Sequence, residues 1–257
     1  MAIALVASAL LAGCGTAAPS RSAPSASAAE KADPASADTL LLRWRLTGGF
    51  AGIGGQGAPP DFSLYGDGRA IVPEKGNPAG LREYRLKPEV VRRLTAEARA
   101  AGLERSRRMD QPGGIADAFT LVITFGSAQT FIVYPEARKD PPVQLWRRLD
   151  PTRWAASDQA APAKPYTPAR MAVLAGPAPV SGDRAKATEW PLPPLNRGTP
   201  GLAGRCQVAG GGDASTAIRL SRTATPDTRW RSGDTLYSVR FRPMLPDEHT
   251  CADLTRS

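Results

Sequence analysis

The stretch Phe62-Ser-Leu-Tyr-Gly-Asp-Gly-Arg-Ala-Ile-Val72 predicts a β-hairpin. Two apolar runs flank Gly66-Asp67-Gly68, and Asp-Gly between such runs is a strong hairpin signal because both residues tolerate a positive φ. The same kind of short apolar run predicts further strands at 39–46, 81–86, 119–125 and 129–134. Closely spaced short strands of this kind favour antiparallel pairing.

The longest predicted helix covers residues 88–101. Its apolar residues form one stripe, namely Val90, Val91, Leu94, Ala98 and Ala101. Pro88 suits the first helical turn, and Gly102 suits the position just after the last turn. A shorter helix is predicted at 143–149. With about nine strands and two or three helices, the fold class is α+β with a mostly antiparallel sheet.

Prolines are concentrated in residues 155–201, where only 170–175 has the pattern of a strand. We therefore expect a main α+β domain at 39–175 and a Pro-rich connection at 176–201. A C-terminal strand-helix-strand unit follows at 202–257, with its elements predicted at 202–208, 213–222 and 235–241. This unit either stands apart or shares one core with the main domain.

The apolar run Ala2–Ala12 predicts a signal peptide at 1–13. A membrane-spanning helix needs roughly twenty residues, about twice the length of this run. The run ends in Leu11-Ala12-Gly13-Cys14, which resembles a bacterial lipobox, where the cysteine carries a diacylglycerol after cleavage. No Lys or Arg precedes the run, which departs from that motif, and an incidental Cys is the alternative. Residues 14–38 then form the lipidated Cys14 and an Ala/Ser/Pro-rich tether, expected to be disordered.

The chain has three cysteines: Cys14, Cys206 and Cys251. With Cys14 lipidated, an exported protein is expected to join Cys206 to Cys251 in a disulfide, which would close the C-terminal unit. On the chain-entropy model, closing this loop would stabilise the fold by about 4 kcal/mol. Two free buried thiols are the alternative.

No motif predicts a catalytic residue, a cofactor or a metal ion. The G-x-G-x-x-G match at 52–57 is followed by Pro59-Pro60 and a hairpin, whereas a dinucleotide site needs a helix there. His249 is the only histidine, and one His with two Cys is too few for a zinc cage. The five tryptophans are dispersed along the chain, at Trp44, Trp146, Trp154, Trp190 and Trp230. So few aromatic residues argue against a sugar hydrolase.

The chain carries a formal net charge of +9, and more than half of it lies in residues 81–108. Arg92, Arg93 and Arg99 of the predicted helix are candidate contacts for an anionic partner, such as an envelope polymer or lipid headgroups. Export argues against nucleic acid as a partner. A solvated Arg-rich face is the alternative.

Several segments of the folded part resemble one class of proteins. They are Gly48-Gly49-Phe50, the stretch Phe62–Gly68, and Tyr237-Ser-Val-Arg-Phe-Arg-Pro-Met-Leu-Pro246 leading into Cys251. Together with the lipobox and tether, they make the chain similar to uncharacterised secreted lipoproteins of actinobacterial type. The resemblance implies export and a lipid anchor, and it brings no catalytic residue with it.

We therefore expect a membrane-anchored extracytoplasmic lipoprotein with a non-catalytic binding or structural role at the cell envelope. One alternative is an envelope hydrolase whose site consists of Asp and Glu residues, with or without His249. Another is an inhibitor or sensor module that binds a partner protein through the glycine-rich loop at 48–57.

Overall fold

Two β-sheets and four α-helices make up the described part of the chain. The computed structural model describes residues 37–49, 54–55, 57–110, 117–178, 187–202 and 204–256, which belong to one compact unit, Pro34–Ser257. The predicted signal peptide, Cys14 and most of the tether at 14–38 lie outside the described residues, as does part of the 48–57 loop. No helix among the described residues is long and apolar enough to cross a membrane.

The first sheet contains the predicted hairpin. Its eight described strands are β1 (Leu40–Gly48), β2 (Phe62–Tyr65), β3 (Arg69–Glu74), β4 (Asn77–Leu86), β5 (Arg107–Met109), β6 (Phe119–Phe125), β7 (Ala128–Val133) and β8 (Gln159–Pro165). Their order across the sheet is β5-β7-β6-β1-β2-β3-β4-β8. All neighbours are antiparallel except β5 and β7.

Two helices cover one face of this sheet: α1 (Pro88–Ala100) and α2 (Pro141–Arg148). The stripe predicted for α1 is confirmed, since Val90, Leu94 and Ala98 are buried in the same core cluster as the first sheet. Strand β1 shows how the sheet separates its faces. Leu42 and Trp44 belong to that helix-covered core, and the intervening Arg43 faces the opposite side, as the two-residue period of a strand requires.

The second sheet follows in the chain. Its six described strands are β9 (Arg170–Pro177), β10 (Thr188–Glu189), β11 (Thr199–Gly201), β12 (Gly204–Gly210), β13 (Arg229–Ser232) and β14 (Thr235–Pro243), in the order β10-β13-β14-β9-β12-β11. The helix α3 (Gly211–Thr223) packs on one face, and the short helix α4 (Asp253–Arg256) lies near the C-terminus. The expected α+β fold with mostly antiparallel sheets is confirmed.

The proline-rich region is more regular than expected. The expectation of a single strand within 155–201 was wrong, because β8, β10 and β11 also form there. Pro162 and Pro165 lie in β8, which is the last strand of its sheet, and an edge strand tolerates proline because one side needs no backbone donor. Strand β9 lies inside the second sheet, so the predicted boundary between 39–175 and 176–201 falls within a strand.

The segment after β14 covers the face of the first sheet opposite α1 and α2, where Leu245 packs with Tyr65, Ile71 and Leu81. On β9, Met171 and Val173 pack in the core under α3, while Leu174 packs in a separate cluster with Cys206 and Met244. Gly57, at the end of the glycine-rich loop, has a φ of +77°, and a Cβ there would lie 2.9 Å from Leu174 Cδ1. The end of this loop is therefore packed closely against the second sheet.

The predicted disulfide is confirmed. Cys206 on β12 is bonded to Cys251, with 6.0 Å between their Cα atoms. Cys206 is 2% exposed and packs with Met244 and Leu254, so the bond holds the C-terminal segment on the second sheet.

Candidate functional site

A cleft of about 650 Å³ lies beside α2 on the helix-covered face of the first sheet. Three aromatic side chains line it: Trp44 from β1, Tyr84 from β4 and Trp146 from α2. Trp44 and Trp146 are half-buried, whereas Tyr84 is 7% exposed. Clefts of this size, with aromatic walls and a few polar groups, are the usual form of small-ligand sites.

The strand pairing places Trp44 in the middle of the sheet. Its backbone lies opposite Phe62 on one neighbouring strand and opposite Ile123 on the other. The indole ring meets that of Trp146 edge to face, with 5.9 Å between ring centroids and an interplanar angle of 81°. The two rings therefore form adjacent walls at nearly a right angle.

Asp61 supplies a carboxylate to this cleft. One of its oxygens, Oδ2, accepts a 2.7 Å hydrogen bond from the backbone N–H of Leu46. Burial raises the pKa of Asp61, although the Leu46 N–H and the nearby Arg45 favour the ionised form. Asp61 consequently retains a proton at a higher pH than an exposed aspartate would.

The remaining carboxylates of the cleft have partners of their own. Glu74 forms an ion pair of 3.1 Å with Arg82 across the β3–β4 hairpin. Asp150 accepts hydrogen bonds from the backbone N–H and the hydroxyl of Thr152, at 3.0 and 2.6 Å. Burial alone would raise the pKa of Asp150, but the bonds from Thr152 outweigh it, so this pKa lies below its ordinary value.

The three arginines proposed from the sequence lie on the exposed side of α1, away from this cleft. Arg93 is paired with Asp158 at 3.0 Å, and Arg99 with Glu104 at 3.3 Å. None of these three arginines is part of the wall of this cleft or of the cleft beside the disulfide.

His249 lines a second cleft, of about 490 Å³, beside the Cys206–Cys251 disulfide. The side chain of His249 is exposed, and its backbone N–H donates to Asp253 Oδ2 at 2.9 Å. Within the described residues, no group of three or more His, Cys, Asp or Glu side chains could hold a metal ion.

A buried polar network joins the first sheet to the segment after β14. Arg43 donates to Ser63 Oγ at 2.9 Å, to the Tyr65 hydroxyl at 3.2 Å and to Asp247 Oδ1 at 2.8 Å. The Tyr65 hydroxyl also donates to Asp247, at 2.7 Å. Burial opposes the charge on Arg43, but Tyr65, Asp247 and Glu248 outweigh it, so the pKa of Arg43 is raised.

The second part of the network is buried more deeply. Arg242 on β14 and Glu248 are each 1% exposed and form a two-pronged ion pair, in which Arg242 Nη2 lies 2.8 Å from Glu248 Oε1. Glu248 Oε2 also accepts the backbone N–H of Leu245 at 2.6 Å. Both carboxylate oxygens are thus occupied inside the protein, which fits a structural role.

The cleft was missed by the sequence analysis because its walls come from distant parts of the chain. Trp44, Tyr84 and Trp146 belong to three separate elements, and no local motif marks them as a group. No family model, curated protein or solved structure matches the chain.

Proposed function

We propose that this chain is an exported lipoprotein of the cell envelope, held at the extracytoplasmic face of the membrane by a lipid on Cys14, and that its folded body acts as a binding protein. The observation that carries the proposal of export is the Cys206–Cys251 disulfide, because such bonds form and persist in oxidising compartments. The sequence Leu11–Cys14 supports acylation. A diacylglycerol carries two acyl chains, and stable anchoring requires about two such signals.

The anchoring proposal is tested by Cys14→Ala in the full-length chain, with Ser20→Ala in the neighbouring segment as the matched control. We expect the unaltered chain and Ser20→Ala to incorporate a labelled fatty acid and to sediment with membranes. Cys14→Ala is expected to lose the label and to leave the membrane fraction. Labelling of Cys14→Ala, or unchanged fractionation, would contradict the proposal.

The role as a binding protein is supported by the aromatic cleft, which is larger than the cleft beside the disulfide. The partner expected from Arg92, Arg93 and Arg99, an anionic polymer or lipid headgroup, stays a prediction. Since Arg93 and Arg99 are already ion-paired, a bound anion would have to compete with Asp158 and Glu104.

An envelope hydrolase is the second candidate, because two carboxylates of one cleft have pKa values shifted in opposite directions. Burial raises the pKa of Asp61, and Thr152 lowers that of Asp150 against its burial. Opposite shifts of this kind are typical of acid and base pairs. A hydrolase is expected to release new reducing ends slowly from an oligosaccharide, and Asp61→Asn is expected to abolish this release. If the oligosaccharide stays intact after prolonged incubation, the hydrolase is rejected and the binding role remains.

A further inference from the structure

We infer that the cleft between Trp44, Tyr84 and Trp146 binds a neutral ring rich in hydroxyl groups, such as one sugar unit of a glycan. This inference rests on the proposed function, since it names the ligand class of the binding body. It also reverses the expectation, drawn from the dispersed tryptophans, that the chain has little to stack against sugar rings.

The aromatic walls suit a ring with apolar faces. Trp44 and Trp146 meet at an interplanar angle of 81°, and both remain half-buried, so neither ring is fully covered by the protein. A sugar ring presents C–H groups on its faces and hydroxyls around its edge. Such a ring can lie on one indole while its edge approaches the other wall, which combines apolar contact with hydrogen bonding.

The charges of the lining favour an uncharged ligand. The cleft has three acidic and three basic side chains, namely Asp61, Glu74, Asp150, Lys75, Arg82 and Arg147. Arg82 is paired with Glu74, and Arg147 Nη2 donates to the backbone carbonyls of Glu136 and Arg138, each at 3.1 Å. With two of the three cations engaged, an anionic ligand would gain little from them and would approach the carboxylate of Asp61.

The carboxylate of Asp61 gives the cleft a hydrogen-bond acceptor. Its Oδ2 already accepts the Leu46 N–H, and the carboxylate has further lone pairs for a ligand. A hydroxyl group can donate to it, whereas a quaternary ammonium has no hydrogen-bond donor. The Trp44 Nε1–H is fully buried, so the Trp44 ring offers a ligand its apolar surface.

The test measures binding directly, with the full-length chain carrying Cys14→Ala so that no acyl chain competes for the apolar walls. Tryptophan fluorescence is followed during titration with three neutral probes: a tetrasaccharide of glucose, one of mannose and one of N-acetylglucosamine. Inorganic polyphosphate serves as the anionic probe. We expect a saturable change with at least one neutral probe, insensitive to added salt, and no saturable change with polyphosphate.

Two variants locate the site. Trp146→Leu removes one wall and is expected to weaken binding about tenfold, the effect of losing roughly 1.4 kcal/mol of aromatic contact. Trp190→Leu changes a tryptophan that packs in the core cluster of the second sheet and is the matched control, expected to bind as the unaltered chain does. Lys75→Ala, at the exposed rim of the cleft, removes one of its cations with little risk to folding and serves to locate any binding of polyphosphate.

The inference is overturned if the folded chain shows no saturable response to any neutral probe. It is equally overturned if Trp146→Leu binds normally, or if polyphosphate alone binds and Lys75→Ala abolishes that binding. If Trp146→Leu fails to fold, the site can be located in the unaltered chain by the nuclear magnetic resonance signal of the Trp146 ring in the presence of a paramagnetic quencher. Bound sugar is expected to protect this signal, and a signal that stays unprotected overturns the inference. The fatty-acid labelling of Cys14 is independent of these results, so failure of the anchor and failure of the sugar site are distinguishable.

Discussion

Replacing Glu248 by Gln should destabilise the protein more than neutralising any exposed charged side chain does, although glutamate and glutamine have nearly the same shape. Glu248 and Arg242 are each 1% exposed, and both carboxylate oxygens are occupied by Arg242 and by the Leu245 N–H. An amide has only one oxygen, so in Glu248→Gln the amide N–H₂ group faces Arg242 or the Leu245 N–H, which are themselves donors. The substitution also leaves the Arg242 guanidinium without its counter-ion.

The magnitude follows from the burial of the pair. Breaking a buried ion pair by removing one partner costs about 3–5 kcal/mol, because the remaining charge is stranded in a medium of low polarity. For a folded body of this size, each kcal/mol lowers Tm by about 2–4 °C, so Glu248→Gln should lower Tm by about 6–20 °C. Replacing both partners, as in Arg242→Met with Glu248→Leu, should cost less than Glu248→Gln alone because no charge is left buried.

The assay is urea unfolding of the oxidised protein, followed by far-ultraviolet circular dichroism. Glu104→Gln is the matched control, because Glu104 pairs with Arg99 while the two side chains are 60% and 59% exposed. An exposed pair of this kind contributes about 0–1 kcal/mol. A cost for Glu248→Gln no larger than that of Glu104→Gln would refute the reasoning, as would a double variant less stable than the single one.

Two further predictions concern the disulfide and Asp61. Cys251→Ser should lower the free energy of unfolding by about 4 kcal/mol, as chemical reduction of the unaltered protein should, and equal urea midpoints for Cys251→Ser and the oxidised protein would contradict this. The pKa of Asp61 is raised in the folded state, so the folded protein keeps a proton that the unfolded chain releases. The contribution of Asp61 to stability should therefore be greatest below the ordinary aspartate pKa and should fall as pH rises from there through the raised pKa. Asp61→Asn should lack this fall, and parallel pH profiles of unfolding free energy for the two proteins would argue against the raised pKa.

Local patterns predicted the secondary structure where adjacent residues restrict the backbone conformation. The Asp67-Gly68 turn and the apolar stripe of residues 88–101 each correspond to an element of the fold, a hairpin between β2 and β3 and the helix α1. The disulfide was also predicted, because export was expected from the N-terminal run, and in an exported chain the two remaining cysteines are expected to pair. In these cases the signal lies in adjacent residues or in the number of cysteines.

The strands of the proline-rich region could not be predicted in the same way. Pro162 and Pro165 argue against a strand in general, and they are accommodated in β8 only because that strand lies at the edge of its sheet. Edge position is a property of the assembled sheet. The sheet that a strand joins is also decided by assembly, so the sequence did not assign β9 to the second sheet.

The buried arginines illustrate the same limit. The alternation of Leu42, Arg43 and Trp44 in the sequence suggests a strand with an apolar face and a solvated polar face. In the fold, the face that bears Arg43 is covered by the segment after β14, and Arg43 is 5% exposed beside Asp247. The partner lies 204 residues away in the chain.

Residue order alone was sufficient for the hairpins, the helix at 88–101 and the Cys206–Cys251 pairing, since each depends on neighbouring residues or on composition, while acylation of Cys14 stays a prediction. The aromatic cleft and the buried ion pairs arise only when the elements assemble. Trp44 and Trp146 are separated by about one hundred residues, yet their ring centroids are 5.9 Å apart because β1 and α2 pack on the same face of one sheet. The chemistry of the candidate site depends on that packing, which brings distant side chains together and removes them from water.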